Sequence, residues 1–292
     1  MVKPVCLKNI LLADDGSDHA RAAIQLLLRL SLTPDTHTTI LRVFGSQQAT
    51  EAFQLEAALK ENCSKLLDKG LPADPELLLG SPAEKIIEYA ELHHNDLIVL
   101  GARGLRATLG ILLGGVAQQV IEYAPCPVLV VRAPFKRLRR ILLVVDGSSN
   151  SQHAAECMLQ FPFPDPVDLR ILHVLPPSLV TSGAKVRGSR PDEPASPSEE
   201  QALQLAEEES EGQHLLERIG AILAARQIKV ETILRRGDAA TEIITYAKRN
   251  KIDLIAAGSR GLSRVRSWLL GSVSRKLVHY SGCSVLIVRT PG

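Results

Sequence analysis

The 292-residue chain repeats itself, and that repetition constrains its fold more than any other feature. Ile10-Leu11-Leu12-Ala13-Asp14-Asp15-Gly16-Ser17 matches Ile141-Leu142-Leu143-Val144-Val145-Asp146-Gly147-Ser148. Asp96-Leu97-Ile98-Val99-Leu100-Gly101-Ala102-Arg103-Gly104 matches Asp253-Leu254-Ile255-Ala256-Ala257-Gly258-Ser259-Arg260-Gly261. Gly80 corresponds to Gly237, and Pro125-Cys126-Pro127-Val128-Leu129-Val130-Val131-Arg132 to Gly282-Cys283-Ser284-Val285-Leu286-Ile287-Val288-Arg289. Segments matched at both ends and in the middle of each half imply a duplicated domain. The length suits two domains that each bury a core. We expect them over 1–134 and 141–292, joined by a linker at 135–140.

Within the first half, Val/Ile/Leu-rich runs at Ile10–Ala13, Thr39–Val43, Glu76–Leu79, Leu97–Leu100 and Val128–Val131 read as strands covered on both faces. Helical spacing fills the gaps at His19–Leu30, Glu51–Lys69, Ala83–His94 and Val116–Tyr123, and Ser81-Pro82 reads as an N-cap followed by a first-turn proline. The second half repeats the pattern, with its longest helix expected at about 199–226. The fold class that follows is α/β, two tandem doubly wound five-stranded parallel-sheet domains with right-handed crossovers. Such sheets bind ligands beyond the carboxyl ends of their strands.

At that rim lies a motif with chemistry. Gly258-Ser259-Arg260-Gly261 follows an apolar strand, and nine residues later Gly271-Ser272 opens a helix. Glycines admit an anion close to the backbone, and the unpaired amides of a helix N-terminus point at it. Ser272 adds a hydroxyl. The spacing is neither a Walker loop, since no lysine follows, nor a dinucleotide fingerprint. The first half has Gly101, Gly104 and Gly114 in register, but Gly115 stands where Ser272 stands in the second. For all these glycines, ordinary tight turns are the competing reading.

Composition narrows the rest. No apolar run could cross a membrane and no signal peptide is evident, so a cytoplasmic protein without membrane contact is expected. Net charge is only +2 and aromatic residues make up 3% of the chain, which argues against nucleic acid. The basic residues Lys136, Arg137, Arg139 and Arg140 then read as a solvated linker. Five widely spaced cysteines read as reduced thiols, with a redox switch as the lesser alternative. His93-His94 reads as a helix terminus rather than a metal site. The Pro/Ser-rich insertion at about 176–201 reads as a tolerated surface loop, with a regulatory element as the alternative.

A glycine pair, a nine-residue gap and Gly-Ser after the fourth strand, with an aspartate after the first, resembles the universal stress protein family in its tandem form, from Lys8 to Arg289. The resemblance implies a Rossmann-like domain of the adenine nucleotide alpha hydrolase kind. It implies ATP, ADP or AMP as ligand, with Mg reached through the phosphates. Asp146 would then accept hydrogen bonds from adenine or ribose, or else serve only as a helix N-cap. Val174 would wall the adenine, or be a plain core valine. Val144 and Val145 would flank Asp146, and Ala257 would meet the base through its backbone. Gly258, Gly261, Gly271 and Ser272 would surround the phosphates, with Val273 and Ser274 donating amide or hydroxyl bonds. Arg260 would reach a terminal phosphate or stay in solvent; Arg264 and Arg266 are expected in solvent. In the first half, Asp15, Val43, Leu100, Gly101, Gly104, Gly114, Gly115 and Val116 take the matching positions. There the missing hydroxyl removes a bond of about 1.5–3 kcal/mol to a charged oxygen, so the first site is expected to be weaker.

Three function classes compete. The leading one is a non-catalytic, nucleotide-responsive regulator of the stress response. A slow ATPase or self-phosphorylating protein is the second, although no base or water-orienting group for phosphoryl transfer stands out. An interaction module with empty pockets is the third. Val128–Val131 and Val285–Val288 read as apolar edge strands, which invite pairing between the halves about a pseudo-twofold axis, and a homodimer is also open.

Overall fold

The computed structural model describes residues 7–104, 113–178, 199–225, 230–261 and 270–289. Ten strands form one sheet. The first half supplies β1 (Asn9–Ala13), β2 (His37–Phe44), β3 (Ala73–Leu79), β4 (Leu97–Gly101) and β5 (Val128–Val131). The second supplies β6 (Arg140–Val145), β7 (Asp168–Leu175), β8 (Val230–Arg236), β9 (Leu254–Gly258) and β10 (Ser284–Val288). Their order is β3-β2-β1-β4-β5-β10-β9-β6-β7-β8, parallel within each half. The halves meet through β5 and β10, which run antiparallel with Leu129 opposite Leu286. This is the pairing that the two apolar edge strands invite: each unpaired edge is satisfied by the other.

Helices cover both faces: α1 (Asp18–Leu27), α2 (Ala52–Leu67), α3 (Pro82–Leu92) and α4 (Gly115–Tyr123) in the first half, α5 (Ser149–Gln160), α6 (Glu199–Ala224), α7 (Ala239–Arg249) and α8 (Ser272–Tyr280) in the second. Strand alternation divides the core in two. Ile10, Leu12, Leu129, Val131, Leu143, Leu254 and Leu286 point to one face, and Leu11, Ile98, Val128, Val130, Leu142, Ile255 and Val285 to the other. Both layers run unbroken across the junction, which makes the two halves one packed body.

Local chemistry starts the helices. Ser17 and Ser148 are N-caps whose side chains accept from Ala20 N and Ser151 N, and Asp238 accepts from Thr241 N. Ser81 occupies the N-cap of α3 ahead of Pro82, but its side chain makes no capping bond. At the opposite rim, Asp96 Oδ2 accepts from Lys8 N and Asn9 N at 2.8 Å each, and Asp253 Oδ2 accepts from Arg139 N and Arg140 N at 3.0 and 2.8 Å. The segment between β5 and β6 is therefore partly docked rather than wholly solvated: Leu138 is buried and Arg137 Nε lies 3.4 Å from Asp253 Oδ1.

The four cysteines among the described residues are free thiols. Cys63, Cys126 and Cys157 are buried and Cys283 is half-buried. Burial pushes Cys126, Cys157 and Cys283 up to about 12, so their reactive thiolate forms are suppressed. His93 ends α3 and stacks on Tyr89 with ring centroids 4.0 Å apart. Of the 176–201 insertion, 179–198 lies outside the described residues, as do Cys6, Arg264 and Arg266.

Candidate functional site

The carboxyl ends of β6, β7 and β9 bring the second-half candidates to one rim. Val144 and Ala257 are register partners on β6 and β9, and both turn to the α7/α8 face, as does Val174 on β7. Val144 and Val174 are half-buried, leaving an apolar shelf at the strand ends. Val145, beside Asp146 as expected, faces the other way from Val144. Alternation turns its side chain into the opposite core layer, so at the rim it offers only backbone, and its carbonyl is taken by His173 Nδ1 at 2.8 Å.

Asp146 follows β6 in a tight turn. Its Oδ1 accepts from Ser148 N at 3.0 Å and Ser148 Oγ at 2.6 Å. Ser148, not Asp146, is the N-cap of α5; the aspartate holds the cap in place, which corrects the capping alternative for this residue. Oδ2 faces the glycine loop: a Cβ built on Gly261 would lie 2.2 Å from it. Ser148 Oγ also reaches Arg260 O at 3.3 Å, stitching the β6–α5 turn to the loop after β9. The first half repeats each element. Asp15 Oδ1 accepts from Ser17 N at 3.0 Å, Ser17 Oγ reaches Arg103 O at 3.2 Å, and a Cβ on Gly104 would lie 2.4 Å from Asp15 Oδ2.

The other glycines divide by role. A Cβ on Gly258 would stand 2.8–2.9 Å from Asn150 backbone and Cβ atoms; one on Gly101 would stand 2.7 Å from His19 Cβ. These two are required by packing of the strand end against a helix start. Gly271 and Gly114 are the N-caps of α8 and α4, without side-chain capping bonds, and their own N–H groups close the loop onto Ser259 O at 2.9 Å and Ala102 O at 2.8 Å. The amides that open α8 and α4 are thus free of any side-chain cap, and the helix dipole makes this end positive. Ser272 is exposed at the first position of α8. Val273, next in line, is half-buried. Ser274 is buried and its hydroxyl donates to Gly258 O at 2.8 Å, so only its amide faces the question of a ligand. In the first half, Gly115 meets nothing within 4 Å of an added Cβ, Val116 is exposed, Val43 is half-buried, and Leu100 is buried. Ala13, register partner of Leu100, takes the position of Val144 and was not among the expected residues.

The loop arginines differ between the halves. Arg103 Nε lies 3.1 Å from His19 Nε2. Arg260 is half-buried, and its Nε has no hydrogen-bond partner among the described residues. Beneath the first site lies a buried ion pair that the second half lacks: Arg42 Nη2 to Asp14 Oδ2 at 2.7 Å, with Asn62 Nδ2 at 3.1 Å. The matching positions are Val145 and His173.

Sequence reasoning missed Arg132 and Arg289. Each follows the last strand of its half, and each reaches into the other half. Arg132 Nη2 donates to Val278 O at 2.6 Å and His279 O at 3.2 Å, and Arg289 Nη2 to Ile121 O at 2.6 Å and to Glu122 O. The signal was present in the repeated Val-Arg that ends each half.

Comparison with known proteins agrees with this architecture. Residues 7–132 and 137–289 each match the model of the universal stress protein family. The chain is 33% identical to the universal stress protein YxiE of Bacillus subtilis over 155 residues, 51% of this chain and 98% of that protein. It is 26% identical over 316 residues to the universal stress protein Slr1230 of Synechocystis, covering 97% of this chain and 100% of that one. A crystal structure of a universal stress protein from Archaeoglobus fulgidus shares the fold with a TM-score of 0.67, at 20% identity over 97% of this chain and 96% of the other. The chain belongs to the universal stress protein family, with two family units in tandem.

Proposed function

We propose that the second half binds an adenine nucleotide, ATP or AMP, and that the protein acts as a non-catalytic, nucleotide-responsive regulator in the cytoplasmic stress response. The observation that carries this reading is the pairing of Asp146 with the loop. A carboxylate oxygen and an uncapped helix N-terminus border one rim, separated by glycines whose missing Cβ atoms keep the space open. A nucleotide has that polarity, with hydroxyl and amino donors at the nucleoside end and negative oxygens at the other. Asp146 Oδ2 would take the ribose or base donors, Val144 and Val174 the base face, and the amides of Ser272 and Val273, with the Ser272 hydroxyl, the phosphates. Magnesium would be held through those phosphates.

The same residues in the first half, with Gly115 in place of Ser272, form a weaker site. The domains are taken as 1–134 and 141–292. Calorimetric titration of nucleotide-free protein with Mg-ATP and with AMP tests the reading. Binding near one per chain is expected, abolished by Gly271→Val. Absence of heat at millimolar nucleotide overturns it.

A further inference from the structure

The glycine loop of each rim is anchored within its own half, whereas the helix that opens there is also held at its far end from across the junction. The amide of Ala102 donates to Val131 O at 2.8 Å and that of Ser259 to Val288 O at 2.8 Å, so each glycine loop is tied to the last strand of its own sheet. Helices α4 and α8 have nine residues each and glycine N-caps that make no side-chain capping bond, and in α8 the Ser274 hydroxyl ties the first turn to Gly258 O. At their far ends, local bonds satisfy one carbonyl: Val120 O accepts from Ala124 N, and Leu277 O accepts from Ser281 N and Oγ. The next two carbonyls of each helix are met only from across the junction among the described residues, Val278 and His279 by Arg132, Ile121 and Glu122 by Arg289. A cation at a helix C-terminus also favours the dipole that makes the opposite end attract anions.

We propose that Arg132 and Arg289 are positioning residues that act across the pseudo-twofold junction, each setting the anion-facing helix of the opposite half from its far end. The proposal rests on the nucleotide reading above for its functional consequence, but its geometry stands apart from it. Burial lowers the pKa of both guanidinium groups from the ordinary arginine value, which marks them as poorly hydrated and their bonds as little contested by water. Loss of Arg132 would leave two carbonyls of α8 unmet, and a short helix with unmet terminal carbonyls frays from that end. The cradle amides of Ser272 and Val273 would then lose their fixed direction, although Arg132 lies in the other half. A residue that merely held the halves together would loosen both helices alike; these arginines predict a crossed pattern.

The test uses the full chain, with hydrogen exchange followed by mass spectrometry on peptides covering α4 and α8, and Mg-ATP titration of the same samples. Arg132→Gln is expected to speed exchange in α8 while leaving α4 as in the parent, and to weaken ATP binding about ten-fold, the effect of one lost charge-assisted contact. Arg289→Gln is expected to speed exchange in α4 and to leave ATP affinity at the second half unchanged. Should either variant fold poorly, Arg132→Lys and Arg289→Lys, which keep the charge but lose the fork, give the same crossed pattern in milder form. Equal acceleration of both helices, acceleration in the arginine's own half, or parental ATP affinity in Arg132→Gln overturns the proposal. If the parent binds no adenine nucleotide, the nucleotide reading fails, and the exchange pattern alone decides the anchoring.

Discussion

A Cβ placed on Gly261 would come within 2.2 Å of Asp146 Oδ2, and the pair is repeated by Gly104 and Asp15 at 2.4 Å. The two residues belong to different turns, 115 positions apart in the chain by their numbers, yet the position of the carboxylate depends on the absence of a side chain opposite it. Gly261→Ala must therefore displace the Asp146 carboxylate, which Ser148 holds from one side only. Nucleotide affinity at the second half is expected to fall by about one to two orders of magnitude, the equivalent of one hydrogen bond to a charged group. The fold, checked by thermal unfolding, should be little changed. An alanine variant with parental affinity would separate Asp146 from binding.

Gly115→Ser restores to the first half the hydroxyl that Ser272 offers in the second. Space is available, since nothing lies within 4 Å of the added Cβ. We expect ATP affinity at the first site to rise by about ten-fold, read by calorimetry in a Gly271→Val background so that only this site contributes. Stability should hold or rise by less than about 1 kcal/mol.

The Asp14–Arg42 pair is buried on both sides, with side chains 1% and 9% exposed. Arg42→Met leaves Asp14 with only Asn62 and the Gly16 amide. Such a change should cost about 3–5 kcal/mol, because a buried carboxylate loses its counter-charge. The double change Asp14→Val with Arg42→His installs the residues of the second half and should recover most of the loss. Urea denaturation decides it; a double variant as unstable as the single one would refute the account.

Stability should fall on mild acidification. Burial lowers the pKa of His19, as do the Arg103 and Arg132 charges, against the Val131 carbonyl and Asp18, which raise it. The ring lies between the Ala133 N–H, 3.0 Å from Nδ1, and the Arg103 Nε–H, 3.1 Å from Nε2, so a second ring proton meets a donor. His279 is lowered by burial and by Arg132 and Arg275. Because both folded values lie below the unfolded one of about 6.5, the unfolded chain takes up protons first. The stability present above about pH 6.5 is lost as pH falls from there toward the folded values. Urea midpoints at pH 7.5 and 5.5 should show this, and His19→Asn, which installs the residue of the second half, should flatten part of the slope.

The sheet was legible because parallel strands covered on both faces are continuous apolar runs, and β1, β4 and β5 fall within a residue of their expected limits. The edge strand β3 was read short. The strand begins at Ala73 and runs through Asp74 and Pro75, since an edge position tolerates proline. Helix α1 was read three residues long because Leu28 and Leu30 keep the apolar period after the backbone has tightened into a turn, with Arg29 N bonded to Leu26 O. At the rim, the positions of the glycines were readable but not their duties. Gly258 and Gly261 look alike in sequence, yet one makes room for a helix and the other for a carboxylate. The repeated Val-Arg marked Arg132, but its contact with Val278 spans 146 residues and joins different halves, so the partner was not readable from the sequence.

Two identical chains meeting through the last strand would be obliged to present two identical pockets, since any change in one appears in its twin. Joining β5 to β10 within a single chain removes that obligation. A substitution here alters one pocket and spares the other, as Gly115 against Ser272 and the Asp14–Arg42 pair against Val145 and His173 already illustrate. The continuous ten-stranded sheet thus keeps the geometry of a symmetric assembly while leaving its two members free to diverge residue by residue.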